Sequence, residues 1–446
     1  MLTSLFQFRG HKLPPELDSF GQMSLSELSS CTTMGDIENA KTASFYGAKA
    51  KRILILGNRI GMFKGETGGG SIFRAQMVKT LSENHPIDSI SLETDHIDMI
   101  EGSRGPMMTM TWSNVLRVVQ GVLANDVIIQ SGSYTPLTTI CAYISLLTGT
   151  TCHTFITMNS AIACNTNYKG MNWVVAYVLY LSSDYLNGFL STSTWTRSAE
   201  FLTSLQKMWV PVQGVVYLDS QYDVFRCADD DEDIEGVRNL LTLGKTGLPV
   251  MLYVGRIVKE KRIELLIENK PKDALLVILG GGPHCPAIAK CHDPSNNIIC
   301  HVGSMLPQEY IRQCYKACDI MVSASNFETL GNTVMESLLC GNPVIVENAG
   351  GYKAQVVNGQ NGWLVDWTNA GQVADAFNRI MKEGVSDLRP LKNATSRSVQ
   401  DIVQAAPSSS PRSIRTFTRI LVAVAFLPLM LLYVLLVWLW FLLGSP

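Results

Sequence analysis

Charge is scarce in this chain. Only 17% of its 446 residues are Asp, Glu, Lys or Arg, and the two signs nearly cancel, leaving a formal net charge of -2. Without a basic excess there is no global field to gather nucleic acid, so no nucleic-acid partner is expected. The first residues also lack a charged start followed by an apolar run, the mark of a secretory signal. Eleven cysteines are spread from Cys31 to Cys340 with no compact Cys-x-x-Cys pair, which reads as free thiols buried in a reducing compartment. His284, Cys285, Cys291, His292, Cys300 and His301 crowd one stretch. Their spacing matches no zinc pattern and Cys300 sits in a strand-like run from Ile298 to Val302, so no metal site is expected there. The acidic run from Asp229 to Asp233 reads as a solvated loop.

What the chain does have is apolar patterning, with 46% hydrophobic residues. That content excludes disorder of the whole chain. Residues 1–49, rich in Ser, Gly and Pro without periodicity, are expected to form a disordered or processed extension. A strand is expected over Arg52–Gly57, then a glycine-rich loop from Gly65 to Ser71 that includes Gly69 and Gly70, then an apolar helical stripe. This is the outline of a phosphate cradle, although it is neither GxGxxG nor a Walker loop. Further strands are expected at Asp126–Ile129 and Thr151–Thr157, with core helices at Pro136–Leu147 and Trp173–Leu190. The same alternation restarts near residue 248, with strands at Leu248–Gly255, Leu275–Gly280, Asp319–Ser323 and Pro343–Glu347. Alternating strands and helices imply parallel, doubly wound sheets. The expected division is an N-terminal Rossmann-like domain over 50–235, a C-terminal one over 236–384, and a basic linker over 385–419. Ligands of such sheets bind beyond the carboxyl ends of the strands.

The most informative stretch is Ser325 to Val346. A strand ends, a loop carries Glu328, and Thr329, Leu330, Gly331 and Asn332 open a helix containing Glu336. Backbone N–H groups at a helix start suit a diphosphate. A carboxylate one turn inside suits the vicinal hydroxyls of a ribose. Upstream, Val254-Gly255-Arg256 ends a strand and Lys261 follows, two cations able to neutralise a departing diphosphate.

These residues resemble the retaining GT-B glycosyltransferases of family 4. The similarity rests on Gly255, Arg256 and Lys261, the Gly280–Pro283 loop with Gly281, Ser325, the pair Glu328 and Glu336, Gly341-Asn-Pro343, and Ala349-Gly-Gly351. It covers residues 250–380 well and 51–225 more loosely, through the glycine loop, the Asp126 strand, Ser191 or Thr192, and Asp223. Within the family, Gly255 to Leu266 and Glu328-Thr-Leu-Gly331 are most similar to the sulfoquinovosyl diacylglycerol (sulfolipid) synthases. The chain departs from the pattern where the family often ends a strand with a histidine. Here Ile156 to Asn159 stand, and His153 lies a few residues away. Ser220-Gln-Tyr-Asp223 and Gln355 replace other family residues.

The resemblance implies a GT-B fold of two facing domains and transfer with retention from a UDP-sugar. It places Arg256, Lys261 and Glu328 at the reaction. Gly69, Gly70, Gly255, Gly281, Thr329, Leu330, Gly331, Asn332 and Glu336 would hold the nucleotide sugar. No cofactor beyond the substrate is implied. The implied acceptor is a membrane lipid, with sulfoquinovose passing to diacylglycerol. Two other readings stay open: another lipid hexosyl or GlcNAc transferase, and a membrane-anchored non-catalytic subunit. If the donor carries a sulfonate, Arg59, Lys64 and Arg74 are the cations to receive it.

The last long feature again begins from an absence. Ile420 to Leu443 contains no charged residue. As one helix it would reach roughly 36 Å, enough to cross a bilayer with some tilt, so a single transmembrane helix is expected. Arg412, Arg415 and Arg419 precede it, which by the positive-inside rule keeps the two domains on the cytosolic or stromal side. The sulfolipid reading puts them at a plastid membrane. Arg389, Lys392 and Arg397 are expected to approach anionic headgroups as well.

Overall fold

The computed structural model describes residues 50–57, 69–91, 112–131, 136–157, 171–218, 222–226, 232–303, 306–388, 396–405, 424–429 and 431–436. The expected N-terminal extension, the glycine loop before Gly69, and Arg59, Lys64, Arg389 and Lys392 lie outside them.

The first sheet is built from β1 (Ile53–Gly57), β2 (Ile87–Ser91), β3 (Val127–Ser131), β4 (Thr151–Ile156), β5 (Ser193–Thr196) and β6 (Gly214–Tyr217). These alternate with α1 (Gly69–Ser82), α2 (Trp112–Ala124), α3 (Pro136–Thr148), α4 (Met171–Leu190) and α5 (Ala199–Lys207). The short α6 (Asp223–Arg226) and α7 (Ile234–Thr242) lead into the second sheet. That sheet consists of β7 (Val250–Val254), β8 (Leu275–Gly280), β9 (Ile298–Val302), β10 (Ile320–Ser323), β11 (Val344–Glu347) and β12 (Gly362–Val365). Its helices are α8 (Ile263–Asn269), α9 (Cys285–Ala289), α10 (Gln308–Lys316), α11 (Asn332–Leu339) and α12 (Ala370–Glu383). The chain then returns to the first sheet as β13 (Ser396–Ser398) and α13 (Val399–Gln404).

Both sheets are parallel, in the order β13-β6-β5-β4-β3-β1-β2 and β12-β11-β10-β7-β8-β9. β1, β3 and β7 are buried at every residue, as the near-continuous Ile, Leu and Val runs require of strands covered on both faces. Strands at β2, β5 and β6 were not expected. β5, Ser-Thr-Trp-Thr, has no apolar run to announce it; it is a strand because β4 on one side and β6 on the other supply its backbone partners.

Two further expectations change in space. Within the expected linker, Ser396–Ser398 pair with Val215–Tyr217, and Val399, Ile402 and Val403 are buried in the first core. Arg397 in the same stretch is exposed, with its guanidinium 5.9 Å from the Trp195 ring centroid. Glu232, read as part of a solvated acidic loop, is almost fully buried and bridges Arg312 (2.6 Å) and Lys316 (2.5 Å) on α10. Its neighbour Asp233 caps α7 by accepting from the Gly236 N–H at 2.8 Å. The segment joining the two sheets is therefore held by charge to the second domain.

Among the described residues no helix is long and apolar enough to cross a membrane. Residues 424–429 and 431–436 of the expected span are helical, and the rest of it lies outside the described residues.

Ile402 is 1% exposed and packs among Ile53, Val216 and Val399. Replacing Ile402 with Ala is expected to cost about 2–4 kcal/mol by leaving a cavity. A urea titration would show the midpoint for the first domain falling. An unchanged midpoint would mean that α13 contributes nothing to that core.

Candidate functional site

Four loops meet at the carboxyl edge of the second sheet: those after β7, β8, β10 and β11. They approach closely because glycine stands where backbone meets backbone. A Cβ on Gly280 would lie 1.9 Å from the Gly255 carbonyl oxygen, and one on Gly350 would lie 2.5 Å from that of Glu328. The Gly255 N–H donates to the Leu279 carbonyl at 3.1 Å, and the Ile257 N–H to that of Gly281 at 2.8 Å. The Gly351 N–H donates to the Glu328 carbonyl at 2.7 Å. Gly255 and Gly281 thus shape the rim through their backbones.

Lys261 leaves a 3-10 turn (Lys259–Lys261) and its ammonium pairs directly with the Glu328 carboxylate. Both side chains are largely buried, at 14% and 19% exposure, so the attraction is less screened than that of a surface pair. The same ammonium lies 3.5 Å from the Ser325 hydroxyl. Tyr352 donates to Ser323 at 2.8 Å and stands 3.4 Å from the Glu328 carboxylate. Lys261 after β7 and Tyr352 of the turn at Gly350–Ala354 therefore converge on one carboxylate. Arg256 shares this edge, but its guanidinium turns to Glu260 at 3.0 Å and is half exposed.

Thr329, Leu330, Gly331 and Asn332 lead into α11 as expected. Gly331, with φ of 79°, is the N-cap and makes no side-chain cap bond. A side chain there would strike the Tyr352 ring, as well as straining the backbone. Gln355, noted as a departure from the family pattern, donates to the Leu330 carbonyl and so supports the approach to the helix. One turn inside, Glu336 is 9% exposed and accepts from the Tyr315 hydroxyl at 3.1 Å. Burial pushes its carboxyl up to about 7, against the opposing pull of the Tyr315 bond.

The first domain faces this edge with α5. Glu200, Phe201 and Ser204 form one wall of a cavity of about 180 Å³. Asn326, Phe327, Glu328, Thr329, Gly350 and Gly351 form the other. Glu328 therefore stands between the domains. The sequence reading missed a second link between them. Arg197, just after β5, is buried with its guanidinium 3.7 Å from the Phe73 ring centroid and hydrogen-bonded to Tyr222. Tyr222 in turn donates to the Asn332 carboxamide oxygen at 2.9 Å. No sequence signal marked either residue, since both follow strands that carry no strand pattern of their own.

The remaining expected residues are not gathered here. Gly69 and Gly70 open α1 in the first domain, after the loop outside the described residues. Arg74 on α1 is buried, and its side chain fills the space above Gly57. His153 lies inside β4, bonded to the Ser193 hydroxyl at 2.7 Å, and burial lowers it to about 4. Among the described residues no group of three or more His, Cys, Asp or Glu is placed to hold a metal ion. His292 accepts from the Cys300 N–H at 3.1 Å, and His301 bonds the Leu241 carbonyl at 2.9 Å.

The fold is a GT-B-like α/β architecture with two parallel sheets, and it is shared with solved glycosyltransferases. The Anabaena HepE protein, crystallised with UDP-glucose, superposes with a TM-score of 0.55 at 16% identity, covering 76% of this chain and 92% of that one. Sucrose-phosphate synthase from Thermosynechococcus elongatus gives the same TM-score, identity and coverages. Residues 242–397 match the family described as Glycosyl transferases group 1.

Sequence relatives agree in class and differ in substrate. Sulfoquinovosyl transferase SQD2 of Arabidopsis thaliana is 30% identical over 146 residues, 32% of this chain and 28% of that protein. An alpha-D-kanosaminyltransferase of Streptomyces kanamyceticus is 26% identical over 192 residues, 41% of this chain and 48% of that one. A D-inositol 3-phosphate glycosyltransferase of Rhodococcus jostii is 30% identical over 148 residues, 30% and 33% of the two chains. The matches thus span less than half of each relative.

The raised Glu336 carboxyl has a stability consequence of fixed sign. A folded pKa of about 7 against an ordinary 4.5 favours folding fully below pH 4.5, and that contribution is lost as pH rises through 7. Glu336→Gln, neutral at every pH, should therefore gain on the parent by about 2–3 kcal/mol between pH 5 and pH 8. Urea midpoints of both proteins at the two pH values give the difference. An equal offset at both would place the carboxyl in water.

Proposed function

We propose that the chain is a retaining glycosyltransferase that moves a sugar from a UDP-sugar to a membrane lipid. The observation that carries this reading is the Lys261–Glu328 pair at the carboxyl edge of a group 1 domain, facing the first domain across a cavity. The solved neighbour holding UDP-glucose supports a nucleotide-sugar donor.

Lys261 and Glu328 neutralise each other. A donor diphosphate entering at the start of α11 would compete for Lys261 with two charges against one. Lys261, with Arg256 released from Glu260, would then stabilise the negative charge that grows as the sugar departs, a preorganised electrostatic contribution. Glu328, relieved of its partner, would accept hydrogen bonds from sugar hydroxyls. Glu336 would take the ribose hydroxyls in the same way, with Gly255, Gly281, Thr329, Leu330, Gly331 and Asn332 lining the nucleotide. Gly69 and Gly70 would meet the donor from the other side. A phosphate oxygen of the leaving group would receive the acceptor proton, and no separate cofactor is called on.

As the particular reaction we take transfer of sulfoquinovose to diacylglycerol at a plastid membrane, with the domains on the stromal or cytosolic side. The 30% identical sulfoquinovosyl transferase supports it. The D-inositol 3-phosphate glycosyltransferase, equally identical, supports a second reading in which an inositol compound is the acceptor. Release of UDP from a panel of UDP-sugars, each with diacylglycerol or inositol phosphate, separates the two.

Two substitutions test the donor site. Glu336→Gln removes the carboxylate from the ribose grip, and at pH 8, where the parent carboxyl is ionised, loss of charge-assisted bonds at ~1.5–3 kcal/mol each should weaken UDP roughly ten- to a hundredfold. Calorimetry showing unchanged affinity would remove Glu336 from the site. Lys261→Ala should lower kcat for UDP release by about a hundredfold while leaving acceptor KM near its original value. Normal turnover in that variant would place the reaction elsewhere.

A further inference from the structure

One layer of the first domain has almost no charge where it faces outward. α2, α3 and α4 pack on the same side of the first sheet, sharing a core with Leu54, Leu56 and Ile128. α3 contains no charged residue, and in α4 the only one is Asp184, which is buried. Their outer positions instead hold Leu116 and Leu123 of α2 and Val174 and Val178 of α4, with Leu123 65% exposed. The second domain shows what a water-facing helix of this fold looks like: α12 turns an exposed Asp375–Arg379 ion pair outward, and its last turn carries Lys382.

The apolar C-terminal segment joins this layer. Tyr433 is 4% exposed and belongs to the same core, with Phe426 and Val434 packed against it. The Tyr433 hydroxyl is hydrogen-bonded with Ser183 on α4, and the Phe426 ring lies 5.5 Å from that of Phe189. Phe426 and Tyr433 are two helical turns apart, so one side of the segment is committed to α4. Leu431 and Leu435 on the segment remain exposed, continuing the surface of α2 and α4.

We propose that α2, α4 and residues 424–429 and 431–436 form a single membrane-seating face, lying in the plane of a bilayer with these outer side chains in the acyl region. A segment docked along α4 through Phe426 and Tyr433 is not free to cross the bilayer by itself. Contiguous exposed apolar side chains of this kind mark an interaction site. Lipid, and not a second copy of the chain, is the occupant that the charges match. Arg412, Arg415 and Arg419 run directly into the apolar segment, and exposed Arg117 adjoins Leu116. An apolar face that carries exposed Arg117, joined in the chain to a segment preceded by three arginines, fits the headgroup–acyl boundary of an anionic membrane. The inference stands on this face and not on the donor site, although a lipid acceptor would be delivered by it.

The experiment uses the full chain and vesicles of phosphatidylcholine with and without phosphatidylglycerol. Leu123→Glu and Val178→Glu change exposed positions and leave the C-terminal segment intact. In flotation each should lower the vesicle-bound fraction roughly tenfold, most visibly with phosphatidylglycerol present, while UDP affinity stays at the parent value. A protease site added after Pro446 should be cut from the outside of sealed vesicles carrying the parent protein. Variants that float like the parent would show that α2 and α4 do not touch lipid. Protection of the added site would show that the segment crosses the membrane. Vesicle binding absent altogether, with a concentration-dependent dimer that Val178→Glu abolishes, would assign the face to a second copy. Each of these three results overturns the proposal. Loss of UDP binding in an otherwise membrane-bound parent would bear only on the donor site.

Discussion

Where the second sheet ends, backbone lies against backbone. The loops after β7 and β8 touch at Gly255 and Gly280, and those after β10 and β11 touch at Glu328 and Gly350, with no space for a side chain between them. This stacking decides the rest of the site. It brings Lys261 and Glu328 together although they are far apart along the chain, and it sets the start of α11 beside Tyr352. A methyl group at Gly280 would have to push two loops apart. The damage would then spread to residues that Gly280 itself does not touch.

Electrostatics in the cleft follow from that geometry. A lysine and a glutamate held mostly out of water satisfy each other, and neither could be left buried without a partner except at considerable cost. Glu336 stands differently: it has burial and one tyrosine bond but no cation among its bonded partners, so its carboxyl is held near neutrality. The two carboxylates are eight residues apart in sequence and occupy opposite environments, because one lies on a loop at the domain interface and the other inside a helix.

The two domains are tied by more than their connecting segment. α5 packs on the turn at Gly350–Ala354, Arg197 reaches Tyr222, and Tyr222 reaches Asn332 at the first turn of α11. A movement of the first domain is therefore felt at the helix that is proposed to hold the diphosphate. The return of the chain through β13 and α13 adds a second covalent crossing between the domains.

By itself the sequence determined the class of fold, because strands buried on both faces must be nearly all apolar and their alternation with helices admits few topologies. It also located most of the second-domain loops, since glycines and a pair of glutamates at fixed separation are local features. Strands such as β5 and β13 were not legible: their residues carry no apolar period, and only the partner strand makes them strands. Glu232 looked like one acid in a solvated run until the fold brought Arg312 and Lys316 to it from some eighty residues away. Arg197 and Tyr222 had no shared motif to betray them. An uncharged run from Ile420 to Leu443 established only that this segment avoids water. Whether its described part faces lipid alone or packs on α4 was settled by Tyr433 and Phe426, because packing depends on which surface is near, and chain order does not encode that.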